Sequence, residues 1–190
     1  SMNYKGYAGK GAAYMMIMNS EDAARNYLRA IELNPEDVVS MSSLSVILFS
    51  DGKTKEAFEM IGRAIDTDPS NAENYRGRAG MYFQKGDTAS AFEDINKAIE
   101  LAPMKDELYN FRGALYRESE KYDEAIADFN RALGLNPNSA EAYCRRGGAN
   151  LYLGKYEKAI ADMETGIGIE PSMAGLMEKY LKEAKEKKSK

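Results

Sequence analysis

Residues 106–139 read DELYNFRGALYRESEKYDEAIADFNRALGLNPNS, a stretch of 34 residues with one proline near its end. Every proline of the 190-residue chain lies 34 residues from the next, at Pro35, Pro69, Pro103, Pro137 and Pro171. A fixed period of about 20–50 residues is typical of repeat proteins. The spacing therefore predicts five tandem units.

Each unit carries small and large residues at fixed positions when its proline is placed at position 32. The units are then residues 4–37, 38–71, 72–105, 106–139 and 140–173. Position 20 is always alanine: Ala23, Ala57, Ala91, Ala125 and Ala159. Positions 8 and 27 are mostly glycine or alanine, whereas positions 4, 11 and 24 are mostly large and apolar. Because positions 4, 8 and 11 share one helical face and positions 20, 24 and 27 another, two packed helices are predicted per unit.

Turn residues separate the predicted helices. Position 15 is glycine in three units, at Gly52, Gly86 and Gly154, where a residue without Cβ can adopt the left-handed conformation that ends a helix. The first unit has Met18 instead. Residues 68–71 (DPSN) and 136–139 (NPNS) supply turn and N-cap residues before the next unit. Each unit is therefore predicted to be an antiparallel helical hairpin.

This pattern resembles the tetratricopeptide repeat, and the resemblance covers residues 4–173. It implies an all-α fold, namely a right-handed α-solenoid of five antiparallel hairpins. The first helix of each hairpin is expected near positions 2–14 and the second near positions 18–31. The fifth unit departs from the pattern at Asn150 and Gly166, where an aromatic residue and an alanine are typical. The resemblance also implies a protein-interaction scaffold rather than an enzyme.

Residues 174–190 follow the fifth unit. They place Leu176, Met177, Tyr180, Leu181 and Ala184 on one helical stripe among lysines and glutamates. The end of a stacked array needs an element that is apolar inward and polar outward. We therefore predict a C-terminal capping helix with this stripe facing the last hairpin. A helix lying on a membrane surface is the alternative, but the stripe is short and glutamates dilute its basic charge.

Two columns of charged residues change together along the units. Position 7 is arginine in the last three units, at Arg78, Arg112 and Arg146. Position 23 is aspartate in the same units, at Asp94, Asp128 and Asp162. Two residues that face each other across an antiparallel hairpin have position numbers that add to a nearly constant value. Positions 7 and 23 come close to the value given by the packed large and small positions. We predict an ion pair within each of these hairpins; the alternative is that the arginines bind an acidic ligand.

The concave surface of the stacked hairpins is where members of this family bind peptides, usually through positions 2, 5, 6, 9, 12 and 13 of the first helix. Here those positions combine small and aromatic residues and balance four bases against four acids. The resemblance thus implies a groove for a peptide or helix with apolar side chains. The predicted peptide-binding residues are Phe49, Arg76, Phe83, Asn110, Phe111, Arg145 and Tyr152. Alternatively, some of these aromatic side chains only pack between neighbouring helices.

Chaperone-binding members of the family carry a two-carboxylate clamp. It uses lysine and asparagine at positions 5 and 9 of one repeat, asparagine at position 6 of the next, and lysine and arginine at positions 2 and 6 of the third. Repeats 3 to 5 supply Arg76, Gly80, Phe111, Glu141 and Arg145 at these places. The other frames do not supply the set either, so no chaperone-type clamp is expected.

Composition argues against several other functions. The net charge of -4 gives no strong basic field, so nucleic acid is not an expected partner. No apolar run approaches the roughly 18 residues of a membrane-spanning helix. The absence of histidine removes the commonest catalytic groups and zinc ligands, so we expect no enzyme, no metal and no cofactor. A single cysteine, Cys144, cannot form an internal disulfide, which favours a reducing, cytoplasmic compartment.

The first repeat leaves a second function open. Lys5 and Lys10 precede the apolar residues 12–18, as in a signal peptide, but the small-x-small cleavage pattern is missing. We therefore predict that this segment belongs to the first repeat. No capping segment precedes Tyr4, so we expect an upstream element or a partner to cover this repeat. The alternative to peptide binding is self-association, as a homodimer through the first repeat.

Overall fold

Helices make up all the regular secondary structure of the computed structural model, which describes residues 3–189. Its α-helices are α1 (Asn3–Met16), α2 (Ser20–Leu33), α3 (Val38–Ser50), α4 (Thr54–Thr67), α5 (Ala72–Gln84), α6 (Thr88–Leu101), α7 (Asp106–Glu118), α8 (Tyr122–Leu135), α9 (Ala140–Tyr152), α10 (Tyr156–Ile169) and α11 (Ala174–Lys188). A short 3-10 helix, Pro171–Met173, lies between the last two. The predicted all-α class is confirmed.

Successive helices pack in pairs, which are the five predicted hairpins. The chain divides into two compact parts, each larger than one 34-residue repeat. We call the part that ends at Leu101 the first unit and the part that begins at Ala102 the second unit, and the 34-residue segments repeats. The first unit contains the hairpins α1/α2, α3/α4 and α5/α6. The second contains the hairpins α7/α8 and α9/α10, together with α11.

The helices of the later repeats begin one position earlier than the resemblance implied, at position 1 for the first helix and position 17 for the second. The predicted cap residues explain the early start of two of them. The side chain of Asn71 accepts a hydrogen bond from the backbone N–H of Glu73 at 3.1 Å, and that of Ser139 accepts one from Ala142 at 3.3 Å. Each cap satisfies a backbone donor of the first turn, so helical geometry begins at the next residue.

Small residues allow the two helices of a hairpin to approach closely. The five alanines at position 20 are all 0% exposed. A Cβ added at Gly11 would lie 2.8 Å from the ring of Tyr27, and one added at Gly113 would lie 2.7 Å from the ring of Phe129. These separations are shorter than van der Waals contact, so glycine at position 8 is what lets these two pairs of helices pack this closely.

The turn between the two helices of each hairpin uses a left-handed residue at position 15. Gly52, Gly86 and Gly154 have φ angles of 77°, 81° and 71°. Met18 and Glu120 occupy the same position in the first and fourth repeats and adopt φ angles of 58° and 59°. The hairpin geometry therefore imposes the left-handed conformation even on residues with a Cβ, which disfavours it by about 1–2 kcal/mol.

Helix α11 packs against α10 and α9, as predicted for a capping helix. Ala184 is 0% exposed and lies in a core cluster with Met163, against which Met177 and Leu181 also pack. The prediction was wrong for Leu176, which is 66% exposed. The inward stripe of Met177, Leu181 and Ala184 has i, i+4, i+7 spacing, and Leu176 lies about 100° away from it around the helix. Residue 190 of the predicted cap lies outside the described residues.

Candidate functional site

Three hairpins each contain an arginine–aspartate ion pair, and the pairs are Arg78–Asp94, Arg112–Asp128 and Arg146–Asp162. In every pair Nε donates to one carboxylate oxygen at 2.7–2.9 Å and Nη2 donates to the other at 2.6–2.8 Å. The aspartate side chains are only 9–11% exposed and the arginines 22–25%. The predicted pairs are confirmed, with the bidentate geometry that makes arginine–carboxylate pairs strong.

Tyrosine rings flank these guanidinium groups. The ring centroids lie 5.4–6.0 Å from the guanidinium carbons, and the tyrosines are Tyr75, Tyr82, Tyr109, Tyr116 and Tyr143. Hydrogen bonding to the aspartate raises the pKa of each arginine, against the opposite effect of desolvation. Because Nε and Nη2 already hold a carboxylate, we retain the ion-pair interpretation over the binding of an acidic ligand.

The fifth repeat replaces one of the flanking rings by Asn150. This side chain is 4% exposed, and its amide donates to Asp162 at 3.2 Å. Arg146 also donates from Nη1 to Asn130 at 2.6 Å. The departure from an aromatic residue at this position therefore adds a hydrogen bond to the buried carboxylate in place of a ring contact.

In the first unit, the predicted peptide-binding residues are Phe49, Arg76 and Phe83. Phe49 and Phe83 are half-buried, and the ring of Phe49 lies edge-on to that of Phe58 at 6.2 Å between centroids. Nε of Arg76 donates to Glu73 at 2.7 Å. The arginine charge on this surface is therefore offset by a neighbouring carboxylate on the same helix, α5.

In the second unit, Asn110 and Arg145 form one hydrogen-bonded cluster with Glu141. The amide of Asn110 donates to Glu141 at 2.9 Å, and Nη2 of Arg145 donates to the same carboxylate at 2.5 Å. Desolvation lowers the pKa of Arg145, and the charge of Glu141 opposes that change. Asn110 is only 5% exposed, and its buried Oδ1 has no hydrogen-bond partner among residues 3–189.

The other two predicted residues of the second unit differ in exposure. Phe111 is half-buried, whereas Tyr152 is 62% exposed. The ring of Tyr152 stacks on that of Tyr122, with 5.0 Å between centroids and 6° between planes. Tyr122 was not predicted, although tyrosines at position 17 of one repeat and position 13 of the next were visible in the sequence.

A cavity of about 380 Å³ lies beside this stacked pair. Its lining includes Arg117, Glu118, Glu120, Tyr122, Tyr152 and Tyr180. Tyr180 comes from α11, so its place in the lining depends on how α11 packs against α9 and α10. The sequence had assigned this residue to the inward stripe of the cap, but it is 39% exposed.

Cys144 also borders the cavity and is a free, buried thiol. Desolvation is the main cause that raises the pKa of this thiol, and the charge of Glu170 adds to it. A Cβ at Gly166 would lie 2.5 Å from Cys144 Sγ, which explains why glycine replaces alanine there. The cysteine thus acts as a packing residue, as expected for a thiol without an activating partner.

Between residues 3 and 189, no group of three or more histidine, cysteine, aspartate or glutamate side chains is placed to hold a metal ion. Over the same range, every helix is too short or too polar to cross a bilayer.

Sequence models of the tetratricopeptide repeat match most of the chain. A model described as Tetratricopeptide repeat matches residues 18–72 and 48–104, and a second with the same description matches residues 140–173. A third, described as TPR repeat, matches residues 113–154. A search of the curated proteins gave no significant match.

Solved structures of similar fold include three with good coverage of the chain. TTC0263, a thermophilic TPR protein of Thermus thermophilus, is 19% identical, with 95% of this chain and 98% of that chain covered and a TM-score of 0.77. MamA is 21% identical, with coverages of 87% and 96% and a TM-score of 0.70. In the APC/C hetero-tetramer Cut9–Hcn1, the matched chain is 18% identical, with coverages of 88% and 34% and a TM-score of 0.79.

Because the sequence identities are this low, the structural matches show only the fold. That fold is the α-solenoid predicted from the sequence. Proteins built in this way are typically protein-interaction scaffolds. The family matches, the five hairpins and the 34-residue spacing of the prolines agree with one another. The chain therefore belongs to the tetratricopeptide repeat family.

Proposed function

We propose that this protein is an interaction scaffold that binds a peptide or a helix of a protein partner in the groove predicted from the sequence, along the first helices of its repeats. One observation carries this proposal. Large apolar side chains are solvent-exposed at predicted ligand-facing positions of these helices: Met16 at 86%, Val39 at 67%, Val46 at 48% and Tyr152 at 62%. A contiguous apolar patch marks an interaction site, and we infer that these side chains, which occupy groove positions in three of the repeats, contribute to one.

The polar residues of the same helices favour an apolar ligand over a highly charged one. Arg76 is paired with Glu73, and Arg145 is paired with Glu141. These pairs leave little net charge to attract a charged tail. The half-buried rings of Phe49, Phe83 and Phe111 keep part of their surface available for contact with apolar side chains of a partner.

The fold and composition are consistent with such a role. The Cut9–Hcn1 structure is a hetero-tetramer, so at least one protein with this fold occurs in a complex with a different chain. A preformed helical surface loses little conformational entropy on binding, which benefits affinity. The proposal assigns no catalytic step to the protein, and the free thiol of Cys144 suits the cytoplasm.

The proposal is tested by selecting binders from a random 12-residue peptide library and measuring their affinity by fluorescence anisotropy. Val46→Asp is expected to weaken binding about tenfold, because it places a charge against the apolar ligand. Leu28→Asp is the matched control, since Leu28 is 46% exposed but lies on a second helix, α2. Equal losses in the two variants, or a library that yields no binder, would contradict the proposal.

Self-association through the first repeat is the second candidate. Met16, Ile17 and Met18 follow one another in sequence and are 86%, 70% and 91% exposed. Three exposed apolar residues at one end of a hairpin favour a contact with a second copy of the chain. Sedimentation velocity at protein concentrations from about 1 to about 100 μM should show a dimer, and Ile17→Asp should abolish it. A monomer throughout the series rejects this candidate.

A further inference from the structure

The cavity beside Tyr122 and Tyr152 in the second unit has features that the proposed function does not use. Its volume of about 380 Å³ lies within the range of roughly 300–1,000 Å³ that is usual for small-ligand pockets. The end of α7 and the turn that follows contribute Glu118 and Glu120, α9 contributes Tyr152, and α11 contributes Tyr180. The cavity is therefore large enough for one long side chain of a partner.

Aromatic rings form one part of the cavity wall. Tyr152 stacks on Tyr122 through one face, and 62% of Tyr152 remains exposed. Tyr180 is 39% exposed and lines the same cavity. Exposed tyrosine faces attract cations, and a planar guanidinium can stack on them.

The cavity lining has more acidic than basic side chains. Nη2 of Arg117 donates to Glu118 at 2.5 Å, so these two charges offset each other. Glu120 forms no ion pair with any residue between 3 and 189, and its side chain is exposed. Arg145, which lies on α9, is already paired with Glu141. Within the described part of the chain, Glu120 is thus the acidic residue of this lining that has no positive partner.

The position of Glu120 relative to the rings is set by the hairpin turn. Its φ angle of 59° places it at the left-handed position between α7 and α8, two residues before Tyr122. The negative charge of Glu120 adds to desolvation in raising the pKa of the Tyr122 hydroxyl. Glu120 and both stacked tyrosines line the same cavity, so one ligand group can contact the carboxylate and a ring together.

We propose that this cavity binds the side chain of an arginine in the partner peptide, with the guanidinium stacked on Tyr152 and hydrogen-bonded to the carboxylate of Glu120. The assignment rests on the proposed function and specifies the ligand at one place on the surface. An acidic side chain would be repelled by Glu120, and an apolar one would bring no positive charge to that carboxylate. Arginine satisfies the ring and the carboxylate together.

The test is a titration of the ¹⁵N-labelled protein with N-acetyl-arginine methylamide, followed by amide chemical shifts. Saturable shifts are expected at residues of the lining, including Gly148 and Tyr152. The citrulline analogue, which has the same shape without the charge, should bind at least about fivefold more weakly. Glu120→Gln and Tyr152→Ala should each weaken the arginine compound to a similar extent.

Glu124→Gln is the matched control. It removes one carboxylate from the same hairpin, at an exposed residue outside the cavity lining, and should leave the affinity unchanged. Absence of saturable shifts, equal binding of the citrulline compound, or equal effects of Glu120→Gln and Glu124→Gln would overturn the inference. Because this titration uses no peptide library, its failure is distinct from a failure of the proposed function.

Discussion

The guanidinium of Arg112 holds both carboxylate oxygens of Asp128, at 2.8 Å through Nη2 and 2.7 Å through Nε. The pair joins α7 to α8, and the aspartate side chain is only 9% exposed. A charge buried to this degree is costly without its partner, which makes the two residues energetically dependent on each other.

Arg112→Met should therefore lower the free energy of unfolding by about 2–4 kcal/mol, because it leaves the carboxylate of Asp128 buried and unpaired. The double variant Arg112→Met/Asp128→Leu should lose less than the sum of the two single losses. Chemical denaturation measures all three. Lys155→Met breaks an exposed pair with Asp123 and should cost less than about 1 kcal/mol. Strict additivity of the Arg112 and Asp128 losses would show that the pair is not coupled.

Gly166→Ala should destabilise the protein by about 1–3 kcal/mol, because the new Cβ would overpack a filled space. It would lie 2.5 Å from Cys144 Sγ and 2.9 Å from the carbonyl oxygen of Ala140. Adding Cys144→Ala should recover part of the loss. Gly134→Ala is the control, since nothing lies within 4 Å of its added Cβ, and it should stabilise α8 by about 0.5–1 kcal/mol. Thermal unfolding distinguishes the outcomes, and a neutral Gly166→Ala would refute the close contact.

Met18→Gly should stabilise the protein by about 1 kcal/mol. Met18 adopts φ 58° and is 91% exposed, so its side chain contributes little packing while its Cβ opposes the left-handed conformation. Met18→Ala retains the Cβ and should give no such gain. If both variants have the stability of the wild type in denaturant titrations, the turn is not strained.

The thiol of Cys144 should react slowly with Ellman's reagent in the folded protein. Burial raises its pKa above the ordinary value near 9, so less of the reactive thiolate exists at any given pH. A folded-state pKa above the unfolded one contributes stability that is complete below the unfolded value and is lost as pH rises towards the folded value. The stability difference between wild type and Cys144→Ala should therefore shrink above about pH 9. A rate equal to that of the urea-unfolded chain would contradict burial.

Features that recur in several repeats were predictable from the sequence, because one hairpin geometry is used five times. The alanines at position 20 and the pair of Arg78 with Asp94 are found where the alignment of the repeats places them. Contacts made once were not predictable. The stacking of Tyr122 on Tyr152 joins two neighbouring repeats, and the exposure of Leu176 depends on how far α11 is rotated as it packs on the last hairpin.

The peptide-binding residues stay a prediction made from repeat positions. Tyr152 was chosen in this way, and its side chain is exposed. Asn110 was chosen from its position as well, but its side chain is buried beside Glu141 on the next first helix. Sequence position specifies which face of a helix a residue occupies, whereas neighbouring side chains decide how much of it reaches solvent.

The second hairpin fills the place of the ion pair with hydrocarbon, since Leu44 and Met60 stand where the later repeats have arginine and aspartate. Leu44 is 1% exposed and belongs to the core of the first unit. Either arrangement is self-consistent, but exchanging only one residue leaves a buried charge unpaired. A single exchange from either arrangement should therefore lower stability, whereas exchanging both residues together leaves no charge unpaired.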